Sequence, residues 1–309
     1  MKQAISIKDM SREEWLRMRK AGIGGSDAGA ICGLNPYVSP MKVYIEKTTD
    51  VVDLEDNEAM RQGRDLEEYV ATRFTEETGM KVRRTNFMYF NKNHPFMFAN
   101  VDRMIAGENA GLECKTASAY SASLWDNGNV PSQYIIQCNH YMAVTGADRW
   151  YLAVVILGKS FRYICVERDE KAISDLIQIE ERFWNDNVVK RIPPEPDGSD
   201  ASEQYLKALY DRATSGKELR LSGYDQELKR HNDLDELINK LEKEKRAIEE
   251  KIKMTMEDAE TAYTDNYVIS WKQYDQERFD SKKLRVENPD LYESYLKRVS
   301  TRRFVIKAA

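Results

Sequence analysis

Two short stretches hold residue types that can act together on a phosphate ester: Asn100-Val101-Asp102-Arg103 and Glu113-Cys114-Lys115. Side chains alternate along a strand, so in extended sequence Glu113 and Lys115 share one face and Cys114 points to the other. Between the two stretches, Ala106-Gly107-Glu108-Asn109-Ala110-Gly111 has turn composition. A hairpin closed there brings Asp102 within a residue or two of Glu113, with Cβ atoms roughly 5–8 Å apart. Two carboxylates at that spacing can share a divalent cation. Hard oxygen donors without His or Cys favour Mg²⁺ or Mn²⁺ over zinc. Such a cation polarises a scissile phosphate and lowers the pKa of a bound water. Lys115 can orient or deprotonate that water, or offset charge in the transition state. Glu-x-Lys is not selective by itself. It recurs at Glu227-Leu228-Lys229 and Glu249-Glu250-Lys251, both in helical sequence, where i and i+2 do not face each other. Asp102, Glu113 and Lys115 also fit a surface hairpin with a cross-strand salt bridge.

Other polar residues extend the set. Glu67 falls on one helical stripe with Val70 and Phe74. A carboxylate on an inward helix face is costly unless paired or metal-bound. Glu67 is therefore a third acid of the site or a boundary glutamate paired with an arginine. Gly63, one turn earlier, leaves room for a close backbone or ligand. After Pro131, a polar stripe runs through Gln133, Gln137 and Tyr141. Gln137 with Tyr141 can position a water and a phosphate, whereas Gln133 reads as a solvent-facing amide. Near the start of the chain, Arg17, Arg19 and Lys20 precede the turn Gly22-Ile23-Gly24-Gly25. Ser26 reads as the N-cap of a short helix whose free N–H groups favour a phosphate. An ordinary capped helix after a loop fits the same residues.

The elements that must position these groups follow from periodicity and punctuation. Helices are expected at 12–20, at 26–33, from Ser39-Pro40, and at 58–78 up to Gly79. Strands are expected near 81–90, 97–105 and 112–116. A helix from Pro131 to Thr145 stops at Gly146. Two strands, at 150–156 and 161–167, precede an amphipathic helix up to Arg191. This order predicts an α/β (α+β) fold with a mixed central sheet flanked by helices. Pro193-Pro194-Glu195-Pro196-Asp197-Gly198-Ser199-Asp200 breaks all periodicity. It sets a core at 1–192, a linker at 193–201 and a C-terminal helical extension at 202–309. In that extension Leu234, Ile238, Leu241, Lys245, Ile248 and Ile252 form a heptad, coiled-coil-like seam on a helix from about 224 to 258. The seam needs a neighbouring helix, another subunit or a partner protein, and an intrachain hairpin with a helix at 202–213 is the simplest choice. A β-hairpin is expected at 262–271. Arg298, Arg302, Arg303 and Lys307, interleaved with Tyr295 and Phe304, form a basic end that suits DNA backbone or a solvated edge.

Composition narrows the class. The 309 residues carry 47 Lys and Arg against 52 Asp and Glu, a net charge of -5. This neither advertises nor excludes nucleic-acid binding, since a basic groove can sit on an acidic protein. No apolar run is long enough for a bilayer span and no signal-peptide pattern is present, so a membrane or secreted precursor is not expected. Cys32, Cys114, Cys138 and Cys165 form no C-x-x-C pair. That disfavours a disulfide scaffold or a structural zinc and suits a reducing cytosol.

Taken in order, Trp15-x-x-x-Arg19, Gly22-Ile23-Gly24-Gly25-Ser26-Asp27-Ala28, Asn35-Pro36-Tyr37-x-Ser39-Pro40, Gly63-x-x-Leu66-Glu67, Asp102, Glu113-x-Lys115 and Gln137-x-x-x-Tyr141 resemble one family. It is the YqaJ-type viral recombinase family, the phage lambda exonuclease branch of the PD-(D/E)xK nucleases, and the likeness covers roughly residues 10–170. The resemblance implies a restriction-endonuclease-like core and a Mg²⁺-dependent exodeoxyribonuclease. Such an enzyme digests one strand of linear double-stranded DNA 5′ to 3′. It also implies a toroidal homotrimer around the duplex and a single-strand annealing partner of the RecT/Bet kind for the 3′ overhang. The setting implied is the cytoplasm of a bacterial host, with a phage or prophage gene. By the same resemblance Asp102, Glu113 and the Cys114 carbonyl hold metal, with Glu67 as a further acidic ligand. Lys115 becomes the catalytic lysine, Gln137 sits beside the active site, and Arg19 and Ser26 line a 5′-phosphate pocket, with Tyr141 on the DNA side. Val101 stands where the family has proline, which changes no ligand. The region after Pro193 has no counterpart in the shorter lambda enzyme. An endonuclease or nickase of the same superfamily, or a non-catalytic DNA-end-binding scaffold, are the alternatives.

Overall fold

Strand-forming runs of the first half assemble into two sheets, seen in a computed structural model that describes residues 3–49, 58–297 and 301–307. The chain order is β1 (Gln3–Ser6), α1 (Arg12–Lys20), α2 (Gly25–Ile31), α3 (Pro40–Thr48), α4 (Glu58–Thr78), β2 (Val82–Arg84), β3 (Phe87–Phe90), β4 (Phe98–Asn100), β5 (Arg103–Ile105) and β6 (Ala110–Ala117). A 3-10 segment (Ala119–Gly128) leads to α5 (Ser132–Thr145), β7 (Arg149–Ile156), β8 (Ser160–Glu167), α6 (Glu170–Arg182), a π-helical stretch (Phe183–Val189) and α7 (Asp200–Leu209). The central sheet has the order β2-β5-β6-β7-β8. It is antiparallel except between β6 and β7, which run parallel and are joined through α5. A parallel pair needs such a crossover. A second sheet has the order β1-β3-β4.

Apolar side chains fill both faces of the central sheet. Leu112 of β6 and Tyr151 and Ala153 of β7 pack with Val70, Ala71 and Phe74 of α4. Trp150, Leu152 and Val154 pack on the other side with Cys138, Tyr141 and Met142 of α5. The architecture is thus the expected mixed α/β fold, helices flanking a mixed sheet. Two expected strands are each broken. The run at 81–90 divides into β2 and β3, and the run at 97–105 into β4 and β5, and the halves enter different sheets. Phe98 and Ala99 of β4 and Met104 and Ile105 of β5 are all buried, so the sequence pattern carries straight across that break. A further difference concerns Ser26, which does not cap α2. The cap is Gly24, whose N–H donates to the Asp27 carboxylate at 3.0 Å, and Ser26 is the second helical residue.

The chain divides into two compact units, Met1–Leu209 and Tyr210–Ala309. Residues 193–201 and α7 therefore fall in the first unit, where the Tyr205 ring packs edge-on against Tyr44 of α3. The second unit contains α8 (Asp225–Met256), a hairpin of β9 (Thr261–Tyr263) with β10 (Val268–Ser270), α9 (Ser281–Glu287) and α10 (Pro289–Ser294). Leu234, Ile238, Leu241 and Ile248 of the heptad seam are exposed. At the basic end Arg302 donates to the Tyr210 carbonyl at 2.9 Å, Arg303 and Lys307 are exposed, and Arg298 lies outside the described residues.

Candidate active site

The break between β4 and β5 is what presents Asp102. Arg103 pairs with Leu112 and Met104 with Gly111, so one further step of that register sets Asp102 opposite Glu113. Past Leu112 the β6 backbone has no ladder partner on this side, and Asp102 Oδ2 accepts the Cys114 N–H at 2.8 Å. Glu113 is 3% exposed and turns toward α5. Its Oε1 accepts from Lys115 Nζ at 2.6 Å and from Gln137 Nε2 at 2.7 Å. Its Oε2 is buried with no hydrogen-bond partner among the described residues. Gln137 uses the same amide nitrogen to donate to the Tyr141 hydroxyl at 2.7 Å. Lys115 Nζ lies 4.9 Å from the centroid of the Tyr134 ring, a cation–π geometry.

Charge in this cluster is unbalanced. Burial, then Glu113, then Glu67 hold the Asp102 carboxyl well above the ordinary aspartate range. Burial works against the Lys115 ammonium, but Glu113 and Asp102 more than reverse it and hold its pKa above that of a free lysine. Lys115 is therefore a cation here. The Cys114 thiol packs with the α4 cluster and is pushed up mainly by burial, which makes it inert as a nucleophile.

Of the two readings of Glu67, the arginine-paired one is observed. Its carboxylate is bound by Arg103 and by Arg84, the latter at 3.1 Å. Arg103 is buried and also reaches Glu68 at 2.7 Å and the Asp102 carbonyl at 2.7 Å. Among the described residues no group of three or more His, Cys, Asp or Glu is gathered as a ready-made metal site. A hard divalent cation nevertheless fits Asp102 and Glu113. Glu113 Oε2 is buried without a partner and Asp102 is pushed up by burial and by Glu113, so both carboxylates would accept a cation. A Cβ on Gly63 would meet only Thr116 Oγ1, at 3.9 Å, so no close approach requires glycine there.

Arg19 and Ser26 also meet. Arg19 Nη2 donates to Ser26 Oγ at 3.0 Å, and its guanidinium lies 5.0 Å from the centroid of the Trp15 indole. Behind them Asp27 is buried and bound by Lys47 Nζ at 2.6 Å, with Arg19 at 3.5 Å. Lys47 also donates to the Arg19 carbonyl at 2.8 Å. Asp27 takes the N–H of the N-cap Gly24, and Arg19 and the Ser26 hydroxyl are the polar side chains that meet at this helix end. This corner abuts the carboxylate site through glycine. A Cβ on Gly25 would lie 2.5 Å from the Tyr141 ring, and one on Gly29 would lie 2.8 Å from Cβ of Gln133. Gln133 is thus half-buried against α2 rather than solvent-facing. Sequence reasoning missed Tyr134, Arg103 and the Asp27–Lys47 pair. Tyr134 was legible, since 134, 137 and 141 are spaced i, i+3, i+7 on one face. Arg103 directly follows Asp102 but carries no pattern of its own.

This geometry can be set beside known proteins. Residues 14–148 match the YqaJ-like viral recombinase domain. The chain is also 40% identical over 303 residues to the YqaJ protein of Bacillus subtilis strain 168, itself described as uncharacterized, covering 97% of this chain and 95% of that one. The chain belongs to the YqaJ-like viral recombinase family. Over about two thirds of the chain its fold resembles that of LHK-Exo, an alkaline exonuclease from Laribacter hongkongensis. The TM-score is 0.50 at 18% identity, over 65% of this chain and all of the other. LHK-Exo in complex with dAMP gives 0.51 at 18% identity, over 64% and 97% of the two chains. No helix among the described residues is long and apolar enough to cross a membrane.

Proposed function

We propose that this YqaJ-family protein is a metal-dependent exodeoxyribonuclease that digests one strand of linear double-stranded DNA from its 5′ end and leaves a 3′ overhang. The observation that carries the reading is the buried, unpartnered oxygen of Glu113. It belongs to a carboxylate that already takes one cation and one amide and sits beside a second acid. Asp102, Glu113 and the Cys114 carbonyl are the residues that would hold Mg²⁺ or Mn²⁺. That ion supplies phosphate polarisation and acidification of a bound water. Glu67, whose Oε1 takes both Arg84 and Arg103, would be a further acidic ligand through its other oxygen.

The remaining chemistry belongs to the chain's own groups. Lys115, cationic and fixed by Glu113 and the Tyr134 face, stabilises charge on the reacting phosphate. It becomes available as a base only when the acids' charge is taken up elsewhere. Gln137 fixes Glu113 and Tyr141 together. Arg19 and Ser26 receive the 5′ phosphate, one helix contact away from the acids. The solved complex of LHK-Exo with dAMP agrees with a nucleotide substrate at such a fold. A trimeric ring threaded on the duplex, action in a bacterial cytoplasm and delivery of the overhang to a single-strand annealing protein belong to the same proposal.

The test is Lys115→Ala on end-labelled linear duplex with Mg²⁺, against a closed circular control. Loss of a group in that role lowers the rate by about 10²–10⁴-fold. Digestion of linear DNA at the wild-type rate would sink the assignment. Cleavage of the closed circle would turn it into an endonuclease. Light scattering decides the ring.

A further inference from the structure

His140 and Glu180 are both fully buried, and neither takes part in the chemistry above. His140 Nδ1 lies 2.8 Å from Glu180 Oε1, and Nε2 lies 2.8 Å from the Phe98 carbonyl. A carbonyl only accepts, so Nε2 carries a hydrogen. The contact of Nδ1 with the carboxyl group then needs a proton too, on one partner or the other, because two facing lone pairs repel. One proton is thus held between α5 and α6, out of reach of water.

The surroundings keep it there. Among the described residues, Asp27 of α2, Cys32 just after α2, His94 from the loop before β4 and Tyr141 on α5 itself are the other titratable groups around the pair. Burial alone would strip the ring of its proton. Glu180, helped by the Phe98 carbonyl and Asp27, outweighs that and holds His140 above the ordinary histidine value. Burial raises Glu180 as well, so both partners retain the proton to higher pH than in the unfolded chain. Burial, then Glu180, push the Cys32 thiol up to about 11.

What the proton fastens leads to the site. Phe98 donates its N–H to the Ile23 carbonyl at 3.0 Å, and its ring is 3.0 Å from where a Cβ on Gly24 would be. Tyr141 follows His140 directly and touches both Gly25 and Gln137. We propose that His140 is a positioning residue for the site, acting through the proton shared with Glu180. With the proton present, α5, α6 and β4 are locked and the Gly24–Ser26 turn and Gln137 keep their places; when it leaves, an acceptor faces an acceptor and the lock opens. The step is one deprotonation to solvent hydroxide, leaving a neutral ring beside a carboxylate.

The proposal rests on the nuclease reading for its rate measurement only. The chain has three histidines, so their ring nitrogens can be followed by NMR. As pH is raised through neutrality, His140 Nδ1 should keep the signature of a bound or shared proton. A bare His140 Nδ1 at neutral pH overturns the proposal. Glu180→Gln is the conservative rescue, because the new amide can donate to Nδ1 without any titrating proton. Digestion of linear duplex by the wild type should fall as His140 loses its proton, and the fall in Glu180→Gln should move up by about one pH unit or more. Glu180→Leu, with no donor, should run about tenfold slower at every pH. Coincident alkaline limbs for wild type and Glu180→Gln overturn the proposal. If no variant and no wild type digests DNA, the nuclease reading fails while the NMR result still decides the lock.

Discussion

Gly25→Ala tests whether the acid site and the Arg19–Ser26 corner are mechanically one. The added Cβ would sit 2.5 Å from Tyr141 Cε1 and 2.9 Å from Cζ. Ordinary carbon contacts begin near ~3.5 Å, so the ring must retreat by roughly 1 Å or α2 must lift away. Overpacking of that kind costs about 1–3 kcal/mol. Alanine also returns up to about 1 kcal/mol of helix propensity over glycine, so the net loss in Gly25→Ala is smaller than the clash. A double-mutant cycle separates the two. Tyr141→Ala removes the clash and leaves the propensity gain untouched, so the coupling between positions 25 and 141 reports the clash alone. The expected coupling is at least about 1 kcal/mol, by urea denaturation at fixed pH. In a unit of this size 1 kcal/mol corresponds to about 2–4 °C in Tm. Displacing the ring also pulls the Tyr141 hydroxyl from Gln137 and loosens Glu113, so digestion by Gly25→Ala should slow by about tenfold. Additive effects within about 0.5 kcal/mol would show that the helices part without strain and that the coupling described here is wrong.

The remaining expectations concern charge. The folded pKa of Asp102 is raised, chiefly by burial and Glu113. Its contribution to stability is therefore fully present below the unfolded value near ~3.9 and is lost as pH rises through the folded value. The metal-free protein should lose stability as pH rises above the ordinary aspartate range, and Asp102→Asn should flatten that slope; Mg²⁺ should restore wild-type stability and leave Asp102→Asn unchanged, as read by calorimetry. A slope unaffected by Asp102→Asn would remove this residue from the charge cluster. Arg19→Ala should weaken the preference for 5′-phosphorylated over 5′-hydroxyl ends while the Mg²⁺-induced rise in Tm persists; an unchanged preference in a competition assay would take Arg19 out of the phosphate pocket.

Much of this site was legible because strand alternation is a hard rule. Once 112–116 is extended, Glu113 and Lys115 must share a face, and the glycine-containing turn before it must return Asp102 to the same neighbourhood. The α5 stripe was legible for the same reason at helical spacing. Three things were not. The split of 97–105 leaves no mark, because Phe98, Met104 and Ile105 are apolar in whichever sheet they serve. The capping of α2 by Gly24 was hidden because Ser26 is the better capping residue by type, whereas Asp27, three residues after Gly24, supplies the acceptor. Glu67 was readable only as two alternatives. Choosing between them needs Arg84 and Arg103, which lie 17 and 36 residues away in sequence.

Helix α5 explains how residues from five elements behave as one site. Tyr134 faces Lys115, Gln137 holds Glu113, His140 ties Phe98 to Glu180, and Tyr141 fills the space that Gly25 leaves. Each contact is made by a different side chain of a single rigid helix, so none can shift by itself. A displacement of α5 changes the acids, the lysine and the phosphate corner together. Substitutions that act by moving this helix should therefore be strongly non-additive with one another, and Lys115→Ala, which shares Glu113 and Tyr134 with it, should couple to them as well. The β-sheet sets where Asp102 and Glu113 can be, and the helix sets whether they are held ready to act.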